Sequence, residues 1–352
     1  MDKNNKIYNF IVIGGGLGGI TTCFILLRKY PDASILWIDR DKFNCGDLSK
    51  YSCVYANTRI EKMNKFFKLL VPYYQECITP CDKNENKEYC SLGEFAKELI
   101  HLTRILHNKT NINYCSDEVS SIHNGEKQII IHANNEEYMC EKVIMATGCE
   151  PKTLPIHKPI ILLEKALNKC IMKDLNYQNK NIVVFGNRHS GILVLKNLYE
   201  LGYTHITNII RSDIKIPQYI KADDHELYDQ IGIRGITLHW AQENLTPINN
   251  TNITIIKKDD DIDIYNNVIE DADYIIYAIG LKQRQDIIIH YKNKPINNQK
   301  CYNNIEYDAK TGLIDENIYG MGVGFLNYSV YKDVYECEAG MFEFYEQGMK
   351  IL

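Results

Sequence analysis

At 352 residues, with 45% hydrophobic and 24% charged side chains, the chain has material for two cores of ordinary size and is neither disordered nor fibrous. Its formal net charge of −5 leaves no basic footprint for nucleic acid. No stretch approaches the roughly 18 consecutive apolar residues of a membrane span. The N-terminus runs straight into an apolar strand-like run, with no signal-peptide pattern. A cytoplasmic protein is expected, whose 12 cysteines are thiols rather than a disulfide framework.

The run IYNFIVI at 7–13 reads as a buried strand. Glycines follow it, then the helix-like ITTCFILLRKY and a second strand, SILWI, that ends at Asp39; together these form a βαβ unit. A helix is expected from about Ile60 to Glu76, and another from Ser91, where Glu94 completes a capping box. Residues 118–146 shorten to strands, and Pro151, Pro155 and Pro159 mark a crossing segment. A second βαβ pattern begins at Asn181. Residues 250–285 read as strands around the acidic turn Asp259-Asp260-Asp261, 292–304 as loop, and 334–352 as a final helix. The plan is a duplicated nucleotide-binding unit rather than a short repeat.

Gly14-Gly15-Gly16-Leu17-Gly18-Gly19 carries G-x-G-x-x-G spacing between a strand and a helix. The first glycine permits the tight turn, the second lets a pyrophosphate approach the backbone, and the third lets the helix pack on the strand. The helix then offers free N–H groups to the anion. Asp39 lies 20 positions after Gly19, where a ribose ligand is expected. The second turn, Gly186-Asn187-Arg188-His189-Ser190-Gly191, keeps the first and third glycines but has Arg188 at the second. That side chain either obstructs a pyrophosphate or binds phosphate itself. Arg211 lies 20 positions after Gly191, and an Arg where NAD sites place an acid points to the 2′-phosphate of NADPH, although Asp213 follows it. His189 is a weak catalytic candidate beside a structural or phosphate-facing role.

Ala146-Thr147-Gly148 followed by Pro151, and Asn317 to Gly322 near the end, resemble the later motifs of the large flavoprotein family with two dinucleotide-binding domains, the pyridine-nucleotide oxidoreductase superfamily. Ala278-Ile279-Gly280 resembles the closing motif of its inserted domain. The resemblance implies an α/β fold of two Rossmann-like three-layer domains: an FAD-binding domain at 1–157 and 286–352, split by an NAD(P)-binding domain at 158–285. It implies FAD contacts at Gly14, Gly16, Leu17, Gly18, Gly19, Asp39, Arg40, Leu48, Asn57, Thr58, Val119, Ala146, Thr147, Gly148, Gly322 and Val323. It implies NAD(P)H contacts at Gly186, Arg188, His189, Ser190, Gly191, Arg211 and Gly280. Val323 departs from the family, which usually has an Asp there bonded to the ribityl chain.

For the reacting group, the chain has no C-x-x-C; Cys45 and Cys53 are too far apart for a C-x4-C pair, and Cys77 and Cys81 have an uncharacteristic spacing. With no C-terminal dimerisation domain expected either, a disulfide reductase is disfavoured. Cys45 is a weak candidate for a flavin-side thiolate, against a buried small hydrophobe. The stretch Gly46 to Thr58 resembles uncharacterised flavin oxidoreductases distantly similar to N-hydroxylating and FMO-like monooxygenases. Asn57 and Thr58 fit either a hydrogen bond to flavin or substrate, or turn chemistry with Thr58 as the cap of the next helix. The expected activity is NAD(P)H-dependent, FAD-mediated oxidoreduction, with NADPH favoured, delivering electrons to oxygen or a small organic acceptor. A monooxygenase and a non-enzymatic dinucleotide-binding protein are the alternatives. No metal, nucleic-acid or membrane partner is expected.

Overall fold

The computed structural model describes residues 6–56, 58–72, 89–125, 128–134, 136–213, 219–222, 225–228, 233, 235–245, 252–259, 261–291, 294–295, 305–331, 334–338 and 340–352. The chain forms two compact units, Met1–Glu150 with Lys282–Leu352, and Pro151–Leu281.

Unit 1 is built on a sheet whose centre is β1 (Ile7–Ile13), flanked by β2 (Ile35–Ile38) and by β6 (Glu136–Met145), both parallel to it. From Phe10 to Ile13 β1 is buried on both faces, as a parallel strand covered on both sides must be. Val12 faces Ile20, Phe24 and Trp37 in one core. Ile11 and Ile13 face Val143, Met145, Ile318 and Phe325 in the other. Between β1 and β2 runs α1 (Leu17–Lys29), with α2 (Ile60–Leu70) and α3 (Leu92–His107) on the same side. α2 buries Ile60, Met63, Phe66, Phe67 and Leu70, an i, i+3, i+7 stripe. Removing a side chain such as Phe67 from water contributes about 1.5–3 kcal/mol. α3 begins with the expected capping box, Ser91 Oγ accepting from Glu94 N at 3.2 Å and Glu94 Oε2 accepting from Ser91 N at 2.8 Å. Parallel pairing continues past β2 to β3 (Ile112–Cys115).

β6 serves two sheets' worth of neighbours. Its first half pairs antiparallel with β5 (Ile129–Ala133), which pairs with β4 (Val119–Asn124). Its last three residues pair in parallel with Ile318–Gly320, which brings the C-terminal motif beside Met145.

Unit 2 is a second parallel sheet in the order Ile253–Lys257, Ile206–Ile210, Ile182–Phe185, Tyr274–Tyr277, with a helix at His189–Glu200. Both units have the α/β, Rossmann-like form expected. The unit boundaries fall at 150/151 and 281/282, earlier than the positions expected from motifs.

Two expectations are corrected. The acidic turn at Asp259 does not join two strands: Asp261 caps a helix, Ile262–Asp271, its carboxylate accepting from Asp263 N and Ile264 N at 2.9 and 3.0 Å. Tyr265, Val268 and Ile269 supply that helix's apolar face. The tail is not one helix but a strand, Val334–Glu338, and a helix, Met341–Ile351. The alternation in VYECE carries the strand and Gly340 opens the helix. The expected helix around Ile60 ends at Leu70. Cys77, Cys81 and most of 292–304 lie outside the described residues.

Candidate functional site

The first turn is shaped by strand ends that crowd it. Gly14 has φ +113°, and a Cβ there would collide with Ala146 O. Its own carbonyl accepts from Trp37 Nε1 at 2.9 Å. Gly16 starts α1 with no side-chain cap, so the first helical N–H groups stay available to an anion. On its outer side a Cβ would stand in van der Waals contact with Cys45 O at 3.8 Å, so the loop after β2 packs against this point. Gly322 (φ +81°) backs onto Gly18, its Cα 3.3 Å from where a Gly18 Cβ would stand. Gly18, Gly322 and Ala146 thus meet at one point above β1 and β6. Beside them, Thr147 Oγ1 is buried without a hydrogen-bond partner. Gly148 (φ +73°) borders space in which a Cβ would meet nothing within 4 Å. The two motifs are also stapled, Cys149 Sγ donating to Val323 O at 3.0 Å.

The other expected residues of unit 1 have varied surroundings. Asp39 is buried and its carboxylate is largely taken by backbone: Oδ1 accepts from Gly15 N at 2.7 Å, and Oδ2 from Asp41 N at 3.1 Å and Phe43 N at 2.7 Å. Arg40 is committed to acids, 2.7 Å from Asp286 and 3.3 Å from Glu118. It also lines a cavity of about 380 Å³ with Asp41, Lys42, Asn44, Gly46, Ser49 and Lys50. Val119 has its side chain in the core, so it offers a ligand only backbone atoms. Leu17 and Leu48 pack against the core as partly buried side chains. Thr58 does not cap α2; Arg59 is the N-cap. Asn57 lies outside the described residues. Cys45 is buried, and burial pushes its thiol up to about 11, so it is protonated at neutral pH and is not an activated nucleophile.

An ionic cluster in unit 1 was not foreseen from the residues. Arg284 pairs with Asp47, which also takes Lys50 Nζ at 2.7 Å. Burial pushes the Asp47 carboxyl up, but Lys50 and Arg284 outweigh it and hold it below the usual range. Arg284 N donates to Gly148 O at 3.4 Å, and Glu150 takes Lys282 at 2.9 Å. The cluster therefore ties Asp47, next to Gly46, to the residues following Thr147. Charged residues scattered over positions 47–50, 150 and 282–284 form no motif in sequence, so only tertiary contact reveals this group.

Unit 2 repeats the turn. Gly186 has φ +109°, and a Cβ there would collide with Ala278 O, as at Gly14 and Ala146. Asn208 Nδ2 donates to Gly186 O at 2.9 Å, the part played by Trp37 in unit 1. Gly191 packs on Gly186 O, leaving no room for a side chain. Arg188, at φ −88° and ψ −174°, has the backbone of Gly16 at φ −80° and ψ −173°, so its side chain causes no backbone strain. It is exposed at the start of the helix, with His189 and Ser190 in the first turn. Gly280 (φ +93°) lies three residues past the end of the strand Tyr274–Tyr277, and its carbonyl accepts from Lys152 N at 3.0 Å.

One spacing argument is corrected. Gly14 N donates to Ile38 O, and Gly186 N donates to Ile209 O. The structural counterpart of Asp39 is therefore Ile210, which is buried, and Arg211 matches Arg40, one position further on. Unit 2 has no carboxylate at the end of its second strand. Arg211 is exposed, and Asp213 is occupied by Lys257 at 2.8 Å.

Residues 8–323 match the pyridine nucleotide-disulphide oxidoreductase family. The chain belongs to this family, whose members are flavin-dependent oxidoreductases using FAD and a pyridine nucleotide. It is similar to the monooxygenase AgnR1 of Paecilomyces divaricatus, with 21% identity over 95% of this chain and 94% of that protein. Its fold is similar to that of the bacillithiol disulfide reductase Bdr (YpdA) of Bacillus cereus, with a TM-score of 0.61, 13% identity and 98% of each chain covered. It is also similar to OTEMO in an FAD-bound form, with a TM-score of 0.59, 12% identity, 90% of this chain and 80% of that chain covered. No helix among the described residues is long and apolar enough to cross a membrane. Cys23, Cys45, Cys53, Cys90, Cys115, Cys140, Cys149 and Cys170 are thiols.

Proposed function

We propose that unit 1 binds FAD at the Gly14–Gly19 turn and that unit 2 binds NAD(P)H, NADPH favoured, so that the chain oxidises NAD(P)H and reduces oxygen or a small organic acceptor. The observation that carries the FAD reading is Thr147 Oγ1, a buried hydroxyl without a partner, next to Gly148, whose Cβ position borders open space. Leaving such a group unsatisfied costs about 1–3 kcal/mol, which a polar ligand atom at this point would recover. The residues present fit the cofactor. The α1 N-terminus would hold the pyrophosphate, the Gly18–Gly322 contact would admit the ribityl chain against backbone, and Thr147 would donate to it or accept from it. Val323 supplies no side-chain carboxylate, so that end of the ligand would rely on backbone and Thr147.

When bound, FAD supplies hydride acceptance and the reduction of the final acceptor. The chain's own part is to bind, to exclude water and to fix charge. Arg284 and Asp47 hold the loop at Gly46 in place and keep a cation near the residues following Thr147. In unit 2, Arg188 would meet the nicotinamide cofactor's phosphates with its guanidinium, and Arg211 would meet a 2′-phosphate, with Asp213 already paired to Lys257. A cytoplasmic setting and a small-molecule substrate are parts of the same reading.

The test is direct. Purified protein, reconstituted with FAD and desalted, should keep flavin absorbance bands, and Gly14→Ala should not. A wild-type protein without flavin bands after reconstitution would sink this reading. The monooxygenase reading is favoured by the end-to-end similarity to AgnR1. After reduction and re-aeration, a long-lived flavin hydroperoxide spectrum supports it, and prompt release of peroxide supports an oxidase.

A further inference from the structure

The loop after β2 is held in an unfavourable shape. Lys42, Phe43 and Cys45 have φ of +55°, +58° and +49°. This left-handed region crowds the Cβ of residues other than glycine, and three such residues within four positions need an external hold. Asp39 provides one. Its buried carboxylate accepts from Asp41 N at 3.1 Å and Phe43 N at 2.7 Å through Oδ2, and from Gly15 N at 2.7 Å through Oδ1. One side chain thus fastens the loop and the glycine turn together. A second tie runs parallel to it. The Phe43 ring meets Trp37 edge-on, with centroids 4.6 Å apart, and Trp37 Nε1 bonds Gly14 O. The loop then ends against the turn, with a Gly46 Cβ position 3.2 Å from Gly16 Cα.

We propose that Asp39 is a positioning residue that latches the loop Arg40–Gly46 against Gly15 and Gly16, setting the shape that receives the cofactor's phosphates before the cofactor arrives. This rests on the FAD reading of the same turn and gives Asp39 a duty beyond contact with the ribose. The latch is specific to unit 1, since buried Ile210 stands at the matching point of unit 2. Held open by Asp39, the loop also forms the wall of the cavity lined by Lys42, Asn44 and Lys50. Without the carboxylate, the left-handed residues relax toward ordinary backbone and Gly46 leaves Gly16.

The test begins on full-length protein without cofactor. Amide exchange across residues 14–18 and 40–46 is compared between wild type, Asp39→Ala and Asp39→Asn. The latch predicts exchange about a hundredfold faster in Asp39→Ala with no FAD present, and FAD binding weakened by about the same factor. Adding Lys42→Gly to Asp39→Ala removes one left-handed penalty and should recover about tenfold of that affinity. If Asp39→Ala does not fold, Asp39→Asn carries the test, because its amide keeps one acceptor and should raise exchange about tenfold. Unchanged exchange in the cofactor-free variants overturns the proposal, as does a lost FAD affinity that Lys42→Gly does not restore. A wild-type protein that binds no FAD defeats the FAD reading instead, and leaves the cofactor-free exchange to judge the latch.

Discussion

The two glycine turns have the same backbone but are finished by different chemistry. In unit 1 the turn is closed by side chains from its own strands: Trp37 on Gly14 O and Asp39 on Gly15 N. In unit 2 Asn208 replaces Trp37, Ile210 replaces Asp39, and Arg188 fills the point that Gly16 leaves empty. On the proposed reading, unit 1 would meet an anion with backbone N–H groups preset by a carboxylate, and unit 2 would meet it with the exposed Arg188 guanidinium. The same scaffold thus presents two different surfaces to a ligand, while Gly14 and Gly19, matched by Gly186 and Gly191, keep the strand–helix packing.

The largest expected effects come from the residues the two turns share. Gly14→Ala and Gly186→Ala each force a Cβ into a carbonyl at positive φ, a cost of about 3 kcal/mol or more. Gly14→Ala should lose bound flavin. Gly186→Ala should keep the flavin bands and lose their bleaching by NADPH. Loss of flavin in both would erase the assignment of one cofactor to each unit.

Next comes Arg284→Ala, which leaves half-buried Asp47 with Lys50 alone. A destabilisation of about 2–3 kcal/mol is expected from breaking such a pair, read as a lower urea midpoint with FAD present. A midpoint within error of wild type would make the cluster incidental to the cofactor loop. Arg188→Gly restores the glycine of unit 1 and sharpens the comparison most. If the guanidinium binds phosphate, the variant should weaken NADPH about tenfold, or about 1.4 kcal/mol. A tighter NADPH complex would show that Arg188 obstructs. Arg211→Ala should lower the NADPH over NADH preference by a similar factor, and an unchanged preference would remove Arg211 from recognition.

The smallest effect is one of pH. His123 of β4 stacks on His290 of the neighbouring strand Ile288–Tyr291 at 4.3 Å, with His132 of β5 at 4.7 Å. Burial, with the two neighbouring imidazoles, lowers its pKa, against a smaller opposing pull from Glu137. The folded state therefore binds this proton less readily than the unfolded state. The contribution is full above the unfolded value near 6.5, declines as pH falls through it, and is gone below the depressed folded value. His123→Gln should flatten that part of the curve of melting temperature against pH, by less than about 1 kcal/mol because the site is half-exposed.

Much of this was legible from the residues. The first glycine turn, the capping box at Ser91 and the order of the strand motifs follow from local patterns with fixed spacing. What escaped depended on contact between distant segments. Asp39 sits where the spacing puts it, but nothing local says that three backbone N–H groups use its carboxylate. The Arg211 register slipped by one because spacing along the chain does not measure where a strand ends. The helix at Ile262 was hidden by Asp259-Asp260-Asp261, which reads equally as a turn or as a cap.

The most direct test of the two-site account is an anaerobic titration of the FAD-loaded protein with NADPH, followed at the flavin absorbance bands. The account predicts bleaching at about one equivalent, lost in Gly186→Ala and weakened in Arg188→Gly. Flavin bands that persist at saturating NADPH and NADH would contradict it.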